Sequence, residues 1–294
     1  MFKRTTQAAF TLGLAAALAP TAGAQEGKSA IALSGGIDWT TQYIFRGIPQ
    51  EDNGIIIQPY GKVTVDVGDY VEGLSFYGGI WNSFHDQSTG ATGGSRNHYE
   101  LDLFTGATMA IPGVEGLSAW LQYQALTSPN GAFGTTHEIE IGASYAMPIG
   151  GINVNPYGKA IFEIQGGSDG GGPGKDEGNY YELGINPTVG LLEGEEVSIT
   201  LSAPIAVAFG DNYYEVVAGQ ATGTGGTFAA NDDESFGFFS AGLRAGMPLS
   251  FVPDQFGKWE LAASVTVIVL NKTMEAVNGG DVQFIGTVGL SFAQ

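Results

Sequence analysis

Polar residues recur at every second position in several apolar stretches of this chain. Glu100 and Asp102 form one such pair, Glu138 and Glu140 another. Asp38, Gln42 and Arg46 stand four apart, and a Tyr-x-Lys pair occurs twice, as Tyr60 with Lys62 and Tyr157 with Lys159. Trp120, Glu163, Glu182, Arg244 and Glu260 are set in the same way among apolar neighbours. A period of two is that of a β-strand, so each set projects from one face. A wet face with more carboxylates than cations concentrates positive ions and suits their passage. The competing chemistry is structural: the charges pair with one another and fill an interior.

Other chemistries have thinner support. The histidines are His85, His98 and His137, with no metal-ligand spacing among them, and the acidic loop residues Asp169, Asp176, Glu177, Asp232 and Asp233 lack the spacing of a calcium loop. No metal or other cofactor is therefore expected. Ser83 and His85 share a strand face, the minimum for an activated nucleophile, but the sequence shows no group to orient the histidine, so the reading is non-enzymatic. Thirty acidic residues against eleven basic ones, a net charge of −19, disfavour nucleic acid as a partner. The absence of cysteine excludes disulfides and thiol chemistry.

The elements that hold these residues read as strands throughout. In Trp259–Val267 one face is Trp, Leu, Ala, Val, Val and the other Glu, Ala, Ser, Thr. The same alternation, broken by Gly, Pro and Asp punctuation, predicts strands over about 31–46, 55–67, 74–82, 99–110, 117–126, 138–147, 152–164, 180–190, 197–209, 236–247, 259–270 and 282–292. Short turns alternate with long loops. An even number of two-faced strands with that loop order predicts an all-β fold: one transmembrane antiparallel up-and-down β-barrel of about twelve strands, with short periplasmic turns and long extracellular loops. Residues 1–24 read as a secretory signal peptide, with basic Lys3 and Arg4, an apolar stretch from Ala8 to Leu18, and Ala22-Gly23-Ala24 as the cleavage site; residues 25–294 are the barrel. Many of the 47 glycines fall inside strands, where a barrel uses them for curvature and close lumen packing.

Aromatic residues at strand ends fit the girdles of a membrane barrel. Phe45, Tyr99, Phe162, Tyr181, Phe209, Phe239 and Phe284 are expected at the outer rim, and Tyr145, Trp259 and Phe292 at the periplasmic rim. Gln58-Pro59-Tyr60-Gly61-Lys62 is echoed by Asn155-Pro156-Tyr157-Gly158-Lys159, each proline predicting a bulge or kink.

Two segments carry a family resemblance. Trp39–Gln50, with Thr41-Gln42-Tyr43-Ile44-Phe45-Arg46-Gly47, resembles the first strand of the TorF-type outer-membrane porin family, with Pro49 where Ser is usual. Phe76–Ser83, with Tyr77-Gly78-Gly79-Ile80-Trp81, is similar to its third strand. The resemblance covers about the first eighty residues and implies a barrel in the cell outer membrane. On this reading the alternating polar residues line a pore for small hydrophilic solutes or ions, with cations preferred. A plugged structural or surface-binding barrel is the alternative. The expected partners are outer-membrane lipids and lipopolysaccharide and the barrel-assembly machinery; oligomeric state stays open. Phe45 is expected to face lipid, and Arg46 to sit at the lumen mouth within reach of Glu100.

Overall fold

The computed structural model describes residues 30–166, 177–193, 198–216, 218–220 and 225–294. The signal-peptide segment and most of the Gly/Asp-rich stretch around Asp169 and Asp176 lie outside the described residues.

Twelve strands close into one antiparallel barrel. They are β1 (Ile31–Thr40), β2 (Ile56–Asp66), β3 (Leu74–His85), β4 (His98–Ala110), β5 (Leu117–Thr127), β6 (Thr136–Tyr145), β7 (Pro156–Gln165), β8 (Asn179–Ile185), β9 (Ile205–Asp211), β10 (Phe236–Pro248), β11 (Lys258–Leu270) and β12 (Val282–Ala293). Neighbours in the chain are neighbours in the sheet, and β12 returns to pair with β1 from Ser34↔Ala293 to Thr40↔Thr287. Closure leaves no wall edge for another chain to extend. β8 continues beyond Pro187 as Thr188–Glu193, and β9 is preceded across Pro204 by Ser198–Ser202. Proline cannot donate to the ladder, so each interrupts an otherwise continuous strand. Pro59 does the same in β2, whose ladder to β3 is paired at Ile57 and Tyr60 but not between them. Pro156 opens β7 directly after Asn155, which has φ +49°.

The outer surface is apolar where a lipid belt would be. Ile37, Trp39, Ile80, Leu103, Leu121, Ile141, Leu183, Leu243, Val265 and Phe284 are all exposed on the barrel wall, alternating with inward neighbours. A continuous apolar band of this kind has no place on a water-soluble surface and suits hydrocarbon. Tyr145, Tyr181, Phe209, Phe239 and Phe284 stand exposed near strand ends. Trp259 and Phe292 pack ring to ring at the turn end, 5.3 Å between centroids.

The first strand departs from expectation. β1 stops at Thr40, and the chain then turns into the barrel as a hairpin of Tyr43–Phe45 against Ile48–Glu51. Its tip is a two-residue turn, Arg46 at φ +49° and Gly47 at φ +90°, the positive pair that a tight right-twisted hairpin needs. Tyr43, Ile44, Phe45, Arg46 and Ile48 are all under 8% exposed. Phe45 therefore packs inside the barrel with Tyr43, Ile56, Tyr99 and Leu126 rather than facing lipid, and Tyr99 is likewise an interior residue. The opposite side of the hairpin, Ile44 and Ile48, packs on Phe238, Ile268, Leu270, Ile285 and Met274. Met274 belongs to α1 (Lys272–Asn278), which Asn271 caps through a hydrogen bond from the Met274 amide. Burying each of these hairpin side chains contributes about 1.5–3 kcal/mol.

Candidate functional site

The barrel interior has two unlike halves. The loop half is filled. The Arg46 guanidinium grips the Glu138 carboxylate with both terminal nitrogens, Nη1 to Oε1 and Nη2 to Oε2, each 2.7 Å. Arg46 and Glu138 are almost wholly buried. A fork-to-carboxylate pair is the strongest arrangement open to these groups, and its loss would leave a buried charge without compensation. Gln124 Nε2 also donates to Glu138, and Arg46 Nη1 reaches the Tyr213 hydroxyl at 3.2 Å. The Tyr214 hydroxyl donates to the Arg46 carbonyl, and Asn278 Nδ2 donates to that of Gly47. The rings of Phe45 and Tyr180 flank the guanidinium, at 4.4 and 5.1 Å to their centroids. Loop, helix and three wall strands thus converge on a turn that holds a non-glycine residue at positive φ, a conformation costing about 1–2 kcal/mol.

Two further buried carboxylates lie near this pair. Glu100 accepts from the Tyr43 hydroxyl at 2.8 Å, and Asp102 follows on the same face of β4. The expected partner of Arg46 was Glu100; the inward fold carries Arg46 past it to Glu138 on β6 and leaves Glu100 to Tyr43. Glu163 is buried on β7 and accepts from the Gly178 amide at 2.7 Å. Gln42 is half-buried just beyond β1.

The turn half is built of polar side chains, with Glu140, Glu182 and Arg244 buried and Lys62, Trp120 and Tyr157 half-buried. Lys159 lies between Glu140, 3.9 Å, and Glu182, 3.8 Å. Trp120 Nε1 donates to Glu140 at 2.6 Å, and the Tyr157 hydroxyl to Glu182 at 2.7 Å. Arg244 pairs with Glu260, and Lys62 sits over the Tyr77 ring at 5.6 Å. Asp38 and Tyr60 are half-buried on the inward faces of β1 and β2. The glycines opposite these rings explain their pose. A Cβ at Gly142 would lie 2.1 Å from Trp120, one at Gly184 2.6 Å from Tyr157, and one at Gly36 2.5 Å from Tyr60. Each pair is directly opposed across two strands, so the missing side chain lets the ring lie against the wall.

A small cleft of about 40 Å³ lies beside the hairpin tip. Ile44, Arg46 and Gly47 form one side, and Tyr157, Glu182, Ala206, Phe238 and Ser240 belong to the other.

Of the polar positions read from the sequence, Arg46, Glu100, Asp102, Glu138, Glu140, Glu163, Glu182 and Arg244 are buried, and Asp38, Gln42, Tyr60, Lys62, Trp120, Tyr157, Lys159 and Glu260 are half-buried. The residues that sequence reasoning did not weigh are the plug partners Tyr180, Tyr213 and Tyr214. Their signal was the inward apolar row Phe238, Ile268, Leu270 and Ile285, since an apolar patch on a lumen face must be covered. Among the described residues no group of three or more His, Asp or Glu is arranged to hold a metal ion. In the long loop before β10, Asp233 has its carboxyl raised above the usual range by partial burial and by Asp211 and Asp232.

Residues 24–148 match the model of a bacterial protein family of unknown function, Gcw_chp. No curated protein matches the chain in sequence. Among solved structures, LpxR from Salmonella typhimurium aligns at 10% identity over 89% of this chain and 99% of its own, with a TM-score of 0.48. An outer membrane channel from Pseudomonas putida F1 aligns at 10% identity over 92% and 97%, TM-score 0.47. The NanC porin aligns at 10% identity over 90% and 99%, TM-score 0.43. No residue role follows from likeness at this level.

Proposed function

We propose that the chain is an outer-membrane barrel that passes small hydrophilic solutes or ions when its inner hairpin withdraws. The observation that carries this reading is the division of the lumen. A polar vestibule at the turn end meets a closure built from hairpin and loop, not from the wall. The apolar belt supports placement in the outer membrane, with the loops outward and the short turns in the periplasm. Outer-membrane lipids, lipopolysaccharide and the assembly machinery are the partners that this placement brings. Tyr43-Ile44-Phe45-Arg46-Gly47, read from the sequence as the end of the first wall strand, forms the hairpin instead.

Charge preference on this reading belongs to the open state. In the closed state Arg46 neutralises part of the Glu100, Asp102 and Glu138 cluster. Withdrawal removes that cation and bares the acids to the pathway, so the open lumen favours cations. In the vestibule the acids Asp38, Glu140, Glu182 and Glu260 are nearly balanced by Lys62, Lys159 and Arg244. The test is single-channel recording in planar bilayers with a salt gradient. Wild type should conduct in rare openings, and Arg46→Ala should conduct far more often, with a cation-directed reversal potential. A silent Arg46→Ala barrel that migrates as folded protein contradicts the gate. It favours the second reading, a permanently plugged barrel whose loops meet other molecules, for which the doubly bonded Arg46–Glu138 pair already speaks.

A further inference from the structure

Above the Arg46 cluster, at the loop end of β3, four side chains from three segments form a chain of hydrogen bonds. Ser83 Oγ lies 2.9 Å from His85 Nε2. His85 Nδ1 lies 3.0 Å from Thr89 Oγ1. The Thr89 hydroxyl donates to Glu51 Oε2, which is itself 3.9 Å from His85 Nδ1. These contacts fix where the protons are. A carboxylate only accepts, so the single Thr89 proton is committed to Glu51. Thr89 must then accept from Nδ1–H of His85. The neutral imidazole is left with a bare Nε2, and that nitrogen accepts from Ser83 O–H. This is the polarity of an activated nucleophile: hydroxyl to base, base to orienting group, orienting group to acid. The side-chain amide of Gln58 reaches Ser83 Oγ from 3.4 Å and helps to hold the hydroxyl in place.

The acid end of the relay is anchored independently of the hairpin tip. Glu51 Oε1 accepts from the amides of Asp52 and Asn53 in its own turn. The rim is further stitched by Ile55 and Asp86, each amide bonding to the other residue. Ser83 itself is wholly buried, and Tyr43 of the hairpin packs over its neighbours Trp81 and His85, 5.5 and 6.2 Å between ring centroids. Tyr43 is the cross-strand partner of Glu51 at the base of the hairpin, so uncovering Ser83 means displacing residues 43–49 while the Asp52 and Asn53 amides still hold Glu51.

We propose that Ser83 and His85 form a gated acyl-transfer site for carboxylic esters, with Thr89 and Glu51 as positioning residues. The inference rests on the gate reading for access to Ser83. Ser83 Oγ attacks the ester carbon while its proton passes to His85 Nε2. The C–O bond breaks, the departing alkoxide takes that proton, and the acyl group is left on Ser83. Water, deprotonated by His85, then releases the acid and restores the hydroxyl.

A fluorophosphonate probe tests this directly: Oγ–P forms, P–F breaks, fluoride leaves and the proton goes to His85. The full chain is compared with a variant in which residues 43–49 are replaced by Gly-Gly, with labelling at Ser83 read by mass spectrometry. The shortened barrel should label at least ~10-fold faster than wild type, and Ser83→Ala in that background not at all. His85→Ala should lower the rate by roughly 10²-fold or more. Glu51→Gln should lower the rate and shift its pH profile, and Glu51→Asp should restore most of it. The titratable groups that face His85 are Glu51, Asp86, Tyr43 and Tyr99. Absence of Ser83 labelling in a shortened barrel that migrates as folded protein overturns the proposal, as does labelling indifferent to His85→Ala. If the shortened barrel does not fold, Arg46→Ala takes its place with the same readings. Conductance on the same samples separates the two ideas. Conduction without labelling sinks the nucleophile and leaves the gate, whereas labelling without conduction does the reverse.

Discussion

The loop half and the turn half of this barrel are made from the same twelve strands, yet they obey different rules. In the turn half, alternation holds: one face is apolar and turned outward, the other carries half-buried Lys62, Trp120 and Tyr157 and the more deeply buried Lys159 and Arg244 inward. In the loop half, the inward face turns apolar at Ile161, Phe238, Ile268, Leu270 and Ile285, while β4 to β6 keep buried Glu100, Asp102, Gln124 and Glu138 facing the hairpin. That end behaves like the core of a soluble domain, with the hairpin as its missing layer. The lesson is that a wall strand states what will lie against it. An apolar inward face asks for apolar protein, and a buried carboxylate asks for a cation or donor, as Glu138 finds in Arg46 and Glu100 in Tyr43.

Substitutions should separate the halves by size of effect. Arg46→Ala should cost the most, about 3–5 kcal/mol in denaturant unfolding, because it leaves buried carboxylates without their cation. A cost below 1 kcal/mol would mean that the loop half is wetter than described. Ile44→Ala should follow at about 2–4 kcal/mol by opening a cavity against Phe238 and Ile268; retention of full stability would show that the hairpin is loosely seated. In the turn half, Gly142→Val should cost about 1–3 kcal/mol by driving Trp120 off the wall. Loss of the Trp120–Glu140 bond should shift the tryptophan emission, and an unmoved spectrum would break the ring-on-glycine account. Asp233→Asn, in the exposed loop, should have the smallest effect. Its carboxyl is raised above the usual range in the fold, so ionisation disfavours the loop and the asparagine stabilises it at neutral pH. That gain should fade as pH falls and the wild-type carboxyl takes up its proton; a gain that grows toward acid pH would reverse the sign.

Much of this was legible in the residues. The alternation of Trp259–Val267, the Pro59 and Pro156 breaks and the interior placement of Glu138, Glu140 and Lys159 follow from a period of two and from a missing amide hydrogen. The hairpin did not, for a physical reason. Gln42 to Arg46 keeps the same alternation as β1, and a period cannot say whether a strand continues or doubles back. Arg46-Gly47 between two short apolar runs was the available sign, but arginine is an unusual residue at positive φ, and only the Glu138 carboxylate explains it. Ser83 and His85 were visible as a pair on one face. Their orienting groups, Thr89 and Glu51, come from two different loops, and no local spacing connects them.

The central claim is that the lumen is wet at the turn end and dry at the loop end. The chain has no cysteine, so a single introduced thiol reports alone. Ser264 and Ser240 both point inward on adjacent strands, Ser264 half-buried in the turn half and Ser240 buried in the loop half. Ser264→Cys and Ser240→Cys barrels, reconstituted in vesicles and exposed to a small charged maleimide, should differ. The account predicts prompt modification at position 264 and protection at 240, with protection lost when Arg46→Ala is added. Equal reaction at both positions in the otherwise unaltered barrel would contradict it.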